Sequence, residues 1–263
     1  MIVRTDAVVL RSFDYGETSR IVTLLTRQHG VIGVLAKGAR RPSSRFGSTL
    51  QPTSYIQVVY YYRAGRGLQT LTETSHLARF PRLRADLERI TLGLRALEVA
   101  RLALDEGEAH PLVLEALART LAFLDATDDR ASNALPWFQL RLAHLLGFAP
   151  DVRREDVLAL GDDGGRLVLD SGTVASAEPA PGLAVAAGVP ASRAALRAFA
   201  VLARTDLETA GRMRLDDEAR HEVQALVDAF VRYHAESTFP ERVRTVSDQV
   251  EAGLAAARRA AEG

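Results

Sequence analysis

Residues 20–36 read Arg20-Ile21-Val22-Thr23-Leu24-Leu25-Thr26-Arg27-Gln28-His29-Gly30-Val31-Ile32-Gly33-Val34-Leu35-Ala36, two β-branched runs broken at His29-Gly30. Such runs favour strands, because branched side chains fit a pleated surface and lose rotamer freedom in a helix. Moving outward, the same texture continues on both sides. Val3–Arg11 precedes, Tyr55–Tyr62 and Leu68–Thr72 follow, and breaks fall at Asp14-Tyr15-Gly16, Lys37-Gly38 and Ala64-Gly65-Arg66-Gly67. About five short strands with glycine-marked turns predict a small closed barrel over residues 1–80. Closure also removes edges that strands this apolar could not safely show to water.

Beyond Phe80-Pro81 the apolar period lengthens to that of helices. Leu87, Ile90, Leu94, Leu97 and Leu104 predict the inner face of a first helix. A second carries Leu114, Leu117, Leu121 and Leu124 with Pro111 near its start. A third has Asn133 as its cap, Pro136 in its first turn, then Trp137, Leu140 and Leu145, closing at Gly147. Helices are also expected over Ser192–Ala203 and Asp216–Glu236, the latter with acidic residues where the helix dipole favours them. Between these, Gly161-Asp162-Asp163-Gly164-Gly165, a strand-like Arg166–Leu169, Ser171-Gly172 and a Pro/Ala-rich link from Pro179 to Pro190 predict two short hairpin-like pieces. The expected fold class is α+β multidomain. It comprises a β-barrel at 1–80, an all-helical domain from 81–151 and 190–250, an insert at 152–189 and a frayed helical tail at 251–263.

The 263 residues hold 33 basic and 33 acidic side chains, a net charge of zero that argues at first against a polyanion partner. The sum hides a separation. Residues 1–80 contain eleven basic residues against four acidic ones, a net of +7, and the remainder carries −7. Eight of the sixteen aromatic residues also lie in those first 80 positions. Such asymmetry predicts a polyanion-binding module joined to something else. The 47% apolar share is enough for a core, and zero cysteine excludes disulfides, thiolate metal sites and a cysteine nucleophile. Charged Arg4 and Asp6 occupy the start of the chain, where a signal peptide needs apolar residues, and no uncharged run is long and apolar enough for a bilayer. A soluble, cytoplasmic protein is expected.

No catalytic constellation is visible. Lys37 is the sole lysine and stands in the wrong context for a phosphate-binding loop, while Gly65-Arg66-Gly67 lacks the third glycine of a dinucleotide fingerprint. The six histidines are never three to five residues apart, and His221-Glu222 has Ala225 where a zinc-protease motif needs its second histidine. Neither enzymatic turnover nor a cofactor is expected. What stands out is Lys37-Gly38-Ala39-Arg40-Arg41-Pro42-Ser43-Ser44-Arg45-Phe46-Gly47. Four cations lie among small residues, suited to follow a phosphate chain by bidentate guanidinium contacts. In the strand that follows, Tyr55, Val59 and Tyr61 share one face; Ile56, Val58, Tyr60 and Tyr62 share the other. One face must fill the barrel and the other can stack on bases, a combination that holds single strands without sequence preference.

These residues carry a resemblance. Ala7-Val8-Val9-Leu10-Arg11-Ser12-Phe13-Asp14-Tyr15-Gly16-Glu17-Thr18-Ser19-Arg20-Ile21-Val22-Thr23-Leu24-Leu25-Thr26 resembles the N-terminal domain of the bacterial RecO recombination mediators. Ala36–Arg41, Ser44-Arg45-Phe46, Leu50-Gln51-Pro52, Arg66-Gly67-Leu68, Leu140–Asp151 and Phe230–His234 are similar to the same family. The resemblance implies an N-terminal OB-fold, binding of single- and double-stranded DNA, strand annealing, and loading of RecA with RecR onto strands coated by single-stranded-DNA-binding protein. It also places the protein at the nucleoid. Carried over by position, Lys37, Arg40, Arg41 and Arg45 become DNA contacts, with Arg11, Arg20, Tyr61, Arg63 and Arg66 as further candidates. Arg141 on the third helix becomes a candidate for holding the acidic, aromatic tail of single-stranded-DNA-binding protein. Many members hold zinc with two Cys-x-x-Cys pairs. Here Val157-Leu158-Ala159-Leu160-Gly161 and residues 172–178 stand at those places, without cysteine. The insert is therefore expected to be a metal-free, zinc-ribbon-like subdomain held by Val157, Leu158, Leu160, Leu167 and Leu169. The alternative from another class is a protein-interaction scaffold whose basic barrel docks an acidic protein surface.

Overall fold

The computed structural model describes residues 1–128, 130–176 and 188–238. Strands β1 (Ile2–Tyr15), β2 (Ser19–Thr26), β3 (Gly30–Ala36), β4 (Tyr55–Tyr61) and β5 (Leu68–Ala78) form a closed barrel in the order β1-β2-β3-β5-β4. All pairings are antiparallel except β3 with β5, which run parallel from Gly33 opposite Leu68 to Leu35 opposite Thr70. This is the five-stranded OB-type barrel expected. Ala7, Val9, Val22, Leu24, Val34, Ile56, Val58 and Tyr60 fill it, so the Tyr60 face of β4 is the inner one and Tyr61 points out.

Two strands outrun their expected limits, β1 by four residues past Arg11 and β5 by six past Thr72. Their extra residues leave the β-branched pattern, and cross-strand pairing with β2 and β4 carries the strands on. Strand β1 also contains a bulge between Val9 and Arg11. One extra residue, Leu10, resets the alternation: Arg11, Phe13 and Tyr15 then face outward while Ser12, opposite Val22, faces the interior.

Helices α1 (Pro81–Ala85), α2 (Leu87–Ala103), α3 (Pro111–Ala126) and α4 (Ala134–Leu145) follow. In α3 the expected stripe holds, with Leu114, Leu117, Leu121 and Leu124 fully buried and Pro111 in the first turn. In α2 it does not. Leu87 is 82% and Leu94 45% exposed, and the buried stripe is Gly93, Ala96, Leu97 and Ala100. Small side chains win because they let α2 lie close: a Cβ at Gly93 would stand 3.5 Å from the side chains of Leu83 and Leu121. Asn133 does not cap α4 through its side chain. It donates instead to Ala210 O (2.9 Å) and Met213 O (3.0 Å), tying down α7 (Leu207–Arg212), a helix the periodicity did not announce. Gly147, at φ +88°, follows the end of α4 as expected.

The chain divides into two compact units, Met1–Ala149 with Ala200–Glu218, and Pro150–Phe199 with the part from Ala219 onward. The first thus holds the barrel together with α1–α4 and α7. In the second, β6 (Gly165–Val168), β7 (Val174–Ser176) and β8 (Gly188–Ala191) make one antiparallel sheet in the order β7-β6-β8 rather than two hairpin pieces. Strand β8 arises from the end of the segment read as a link. Val157, Leu160 and Leu167 are buried, but Leu158 is exposed, contrary to expectation. On the short helix α5 (Arg154–Leu158), Val157 takes the inward position and its neighbour turns about 100° away. Helix α6 (Arg193–Leu202) begins at Ser192, whose hydroxyl accepts from Ala195 N at 3.2 Å. Helix α8 (Asp217–Thr238) opens with Asp217 and Glu218, as the dipole argument expects. Phe199 and Phe230 meet edge to face at 6.1 Å in this unit's core. The tail at 251–263 and most of the Pro179–Pro190 link lie outside the described residues.

Candidate nucleic-acid interface

The segment from Lys37 to Ser54 leaves β3 and closes one end of the barrel. Phe46 and Leu50, which composition alone would leave in a loop, belong to the barrel core. Thr49, in the 3-10 turn Gly47–Leu50, bonds Thr74 of β5 at 2.6 Å. The cations therefore ride on a plugged, anchored segment. Arg45 lies over the Phe46 ring, its guanidinium carbon 5.3 Å from the centroid. Gly38, at φ +74°, makes the turn that lets the Arg41 amide donate to its carbonyl at 3.1 Å.

The loop is stapled to the β1–β2 turn. The Arg40 amide donates to Thr18 O at 2.9 Å and its side chain to Gly16 O at 2.9 Å. Asp14 is shared, pairing Arg20 and Arg40 at 3.1 Å each. Arg40 and Arg20 thus hold the end together. Lys37, Arg41 and Arg45 are exposed and have no carboxylate within 4.0 Å among the described residues. Five cations (Arg20, Lys37, Arg40, Arg41, Arg45) face two carboxylates, Asp14 and Glu17, at this end.

Arg11 is engaged differently. It donates from one nitrogen to both oxygens of Glu98 on α2 at 3.0 Å, and Arg101 binds the same carboxylate at 2.7 Å. Burial pushes the Glu98 carboxyl up, but Arg101 and Arg11 outweigh it and hold it below its ordinary value. Arg11 joins the barrel to α2.

Tyr61, Arg63 and Arg66 lie elsewhere. They belong to β4 and to the turn before β5, at the end where β2 passes into β3. There Tyr62 stacks on His29 with centroids 3.9 Å apart, and His29 Nδ1 meets the Tyr60 hydroxyl at 2.7 Å. Burial lowers the His29 pKa and pushes Tyr60 up to about 12. Gln69 fixes the turn, accepting from Arg63 N at 2.8 Å and donating to Arg66 O at 2.6 Å. The register sets Gly67 beside Gly33 and pairs Tyr61 with Thr70, which lies opposite Leu35, so strand β5 stands between these candidates and the end of β3. The structure gathers Lys37, Arg40, Arg41, Arg45 and Arg20 on one stapled turn and loop, and puts Tyr61, Arg63 and Arg66 on β4 and the turn before β5.

Two residues beside the basic loop escaped the sequence reading. Phe13 and Tyr15 are 51% and 54% exposed on the outer face of the β1 extension. The signal was the alternation Arg11-x-Phe13-x-Tyr15, hidden by ending the strand at Arg11. On the helical side, Arg141 is exposed on α4 and lines a cleft of about 350 Å³ with Arg119, Arg204 and the largely buried Trp137. The Trp137 indole donates to Thr205 O at 2.9 Å, and Glu208 engages Arg119 at 2.9 and 3.1 Å. Among the described residues no three His, Cys, Asp or Glu side chains are grouped to hold a metal, and no helix is long and apolar enough to cross a membrane.

Residues 1–80 match the family profile described as "Recombination protein O N terminal", and residues 84–242 the one described as "Recombination protein O C terminal". A protein of Salinibacter ruber named "DNA repair protein RecO" is 49% identical over 250 residues, covering 95% of each chain. One of the same name from Chloroherpeton thalassium is 30% identical over 260 residues, covering 95% of this chain and 99% of its own.

Proposed function

The chain belongs to the RecO family, and from that premise we propose that it is a DNA repair and recombination protein acting by binding DNA without enzymatic turnover. Its finer task is to bind single and double strands, anneal complementary ones, and help load RecA with RecR onto strands coated by single-stranded-DNA-binding protein. The observation that carries the DNA contact is the anchored loop. Lys37, Arg41 and Arg45 project from a plugged barrel end without carboxylate partners among the described residues, while Arg20 and Arg40 hold the scaffold. Free guanidinium and ammonium groups on a rigid base neutralise phosphates without first giving up an internal ion pair. Arg63 and Arg66, on the turn before β5, are assigned a secondary phosphate contact, with Tyr61 beside them. The cleft around Trp137 supports a second contact. Leu112, Ala116 and Trp137 offer it an apolar floor, and Arg119, Arg141 and Arg204 outnumber the lining carboxylates Glu115 and Asp206, which suits the acidic, aromatic tail of single-stranded-DNA-binding protein.

The test is a salt titration with a fluorescent oligonucleotide. Changing Lys37, Arg41 and Arg45 together to Ala should weaken binding about 100-fold at low salt. It should also flatten the slope of log K against log salt by about 2, since each phosphate contact on a single strand contributes roughly 0.7. Arg63→Ala with Arg66→Ala should flatten it less. An unchanged slope in the triple variant would show that the loop does not meet phosphate.

A further inference from the structure

We propose that Phe13 and Tyr15 form a base-stacking platform, so that the basic end of the barrel engages the bases of an unpaired strand as well as its phosphates. The proposal rests on the reading of the loop as the phosphate contact, and deepens it.

Four observations meet here. First, the rings are half-exposed although the barrel buries Tyr60 and Phe46 completely, so they are not needed for its core. Second, the bulge at Leu10 puts them on one outward face: Phe13 pairs opposite Ile21 and Tyr15 opposite Ser19. Alternate residues of a strand stand about 7 Å apart. That is twice the ~3.4 Å repeat of a stacked nucleic-acid strand, so each ring can carry its own base. Third, cations stand close by: Arg40 bonds the Gly16 carbonyl next to Tyr15, while Asp14, which Arg20 and Arg40 hold, alternates to the other face of β1 and leaves the ring face free of that carboxylate. Fourth, the adjoining turn and loop carry five cations against two carboxylates, which suits a polyanion, and the rings, not the charge, favour a base-bearing strand over an acidic peptide. Rings select bases and cations select phosphates. A duplex hides its base faces, so only an unpaired strand uses both.

The experiment compares three probes of equal length on the full chain: a fluorescent thymidine strand, an abasic strand with the same phosphates, and a duplex. The unaltered chain should bind the thymidine strand more tightly than the abasic one. Phe13→Leu combined with Tyr15→Leu keeps apolar bulk and removes the rings. It should weaken binding to thymidine about 10- to 100-fold while leaving the abasic strand, the duplex and the salt slope unchanged. Restoring rings with Phe13→Tyr and Tyr15→Phe should restore the base-dependent part. As a readout independent of affinity, the added indole of Tyr15→Trp should be quenched by the thymidine strand and not by the abasic one. Equal binding of both single strands by the unaltered chain, or equal losses on both in the Leu variant, would overturn the platform while leaving the phosphate reading intact. No binding to any probe would overturn both.

Discussion

The two ends of the barrel are built from the same materials and use them in opposite ways. At the end near His29, aromatic rings satisfy one another: Tyr62 stacks on His29 and the Tyr60 hydroxyl bonds it. At the end near Lys37, Phe13 and Tyr15 are half-exposed, and the hydrogen-bonding capacity of Arg20 and Arg40 goes into positioning a loop. The difference teaches that aromatic and basic content alone does not make a binding surface. What decides is whether each ring and charge is already spent inside the fold.

The strongest way to break this contrast is at the satisfied end. Gly30 has φ +56°, and a Cβ there would lie 1.7 Å from the Glu108 carbonyl oxygen, where the connection after α2 runs against the turn. Gly30→Ala should cost about 3 kcal/mol or more in urea unfolding, because both backbone strain and a backbone clash must be relieved. Gly16→Ala, at φ +59° in open space, should cost only about 1 kcal/mol. Similar losses at the two positions would show that the connection yields freely.

A smaller effect is expected at Tyr60. Tyr60→Phe strands the His29 nitrogen and should cost about 1–2 kcal/mol, whereas Tyr15→Phe should change stability by less than about 0.5. The Tyr60 pKa, raised from 10.0 to about 12 by burial, gives a signature of its own. The folded state prefers the neutral phenol, so its contribution is intact below pH 10 and is lost as pH rises towards 12. That alkaline loss should vanish in Tyr60→Phe.

Least is expected from Arg11 and Glu98, between the two ends. Depressed in the fold, the Glu98 carboxyl contributes stability that is present above its ordinary value of 4.5 and lost as pH falls below it. Both groups are more than a third exposed, so screening leaves no more than about 0.5 kcal/mol. Glu98→Gln should match the unaltered chain at low pH and fall behind it only above 4.5.

The barrel was legible because its strands are β-branched and its turns carry glycine, two signals that agree. The α3 stripe was legible for the same reason, as leucine spacing and burial coincide. In α2 they diverge. Leu87 and Leu94 carry the helical period, yet close packing at Gly93 is worth more than covering every leucine. Strand β8 was hidden because pairing with β6, not local propensity, makes it a strand. In the candidate interface the loop's cations were readable from spacing. Its stapling by Asp14 and the exposure of Phe13 and Tyr15 were not, since both depend on a bulge one residue long. The separation of Arg63 and Arg66 from the loop likewise follows from barrel closure, which joins residues by strand order rather than by number.

The Phe46 plug has a mechanical consequence. A strand gripped at Arg45 and then pulled would not swing a slack flap; it would draw on a cork seated in the barrel. Releasing that cork exposes Phe46 and Leu50, each contributing about 1.5–3 kcal/mol when buried. If the proposed contact holds, tension on a bound strand would be borne by the barrel interior, and the grip should fail by the strand slipping off before the loop gives way.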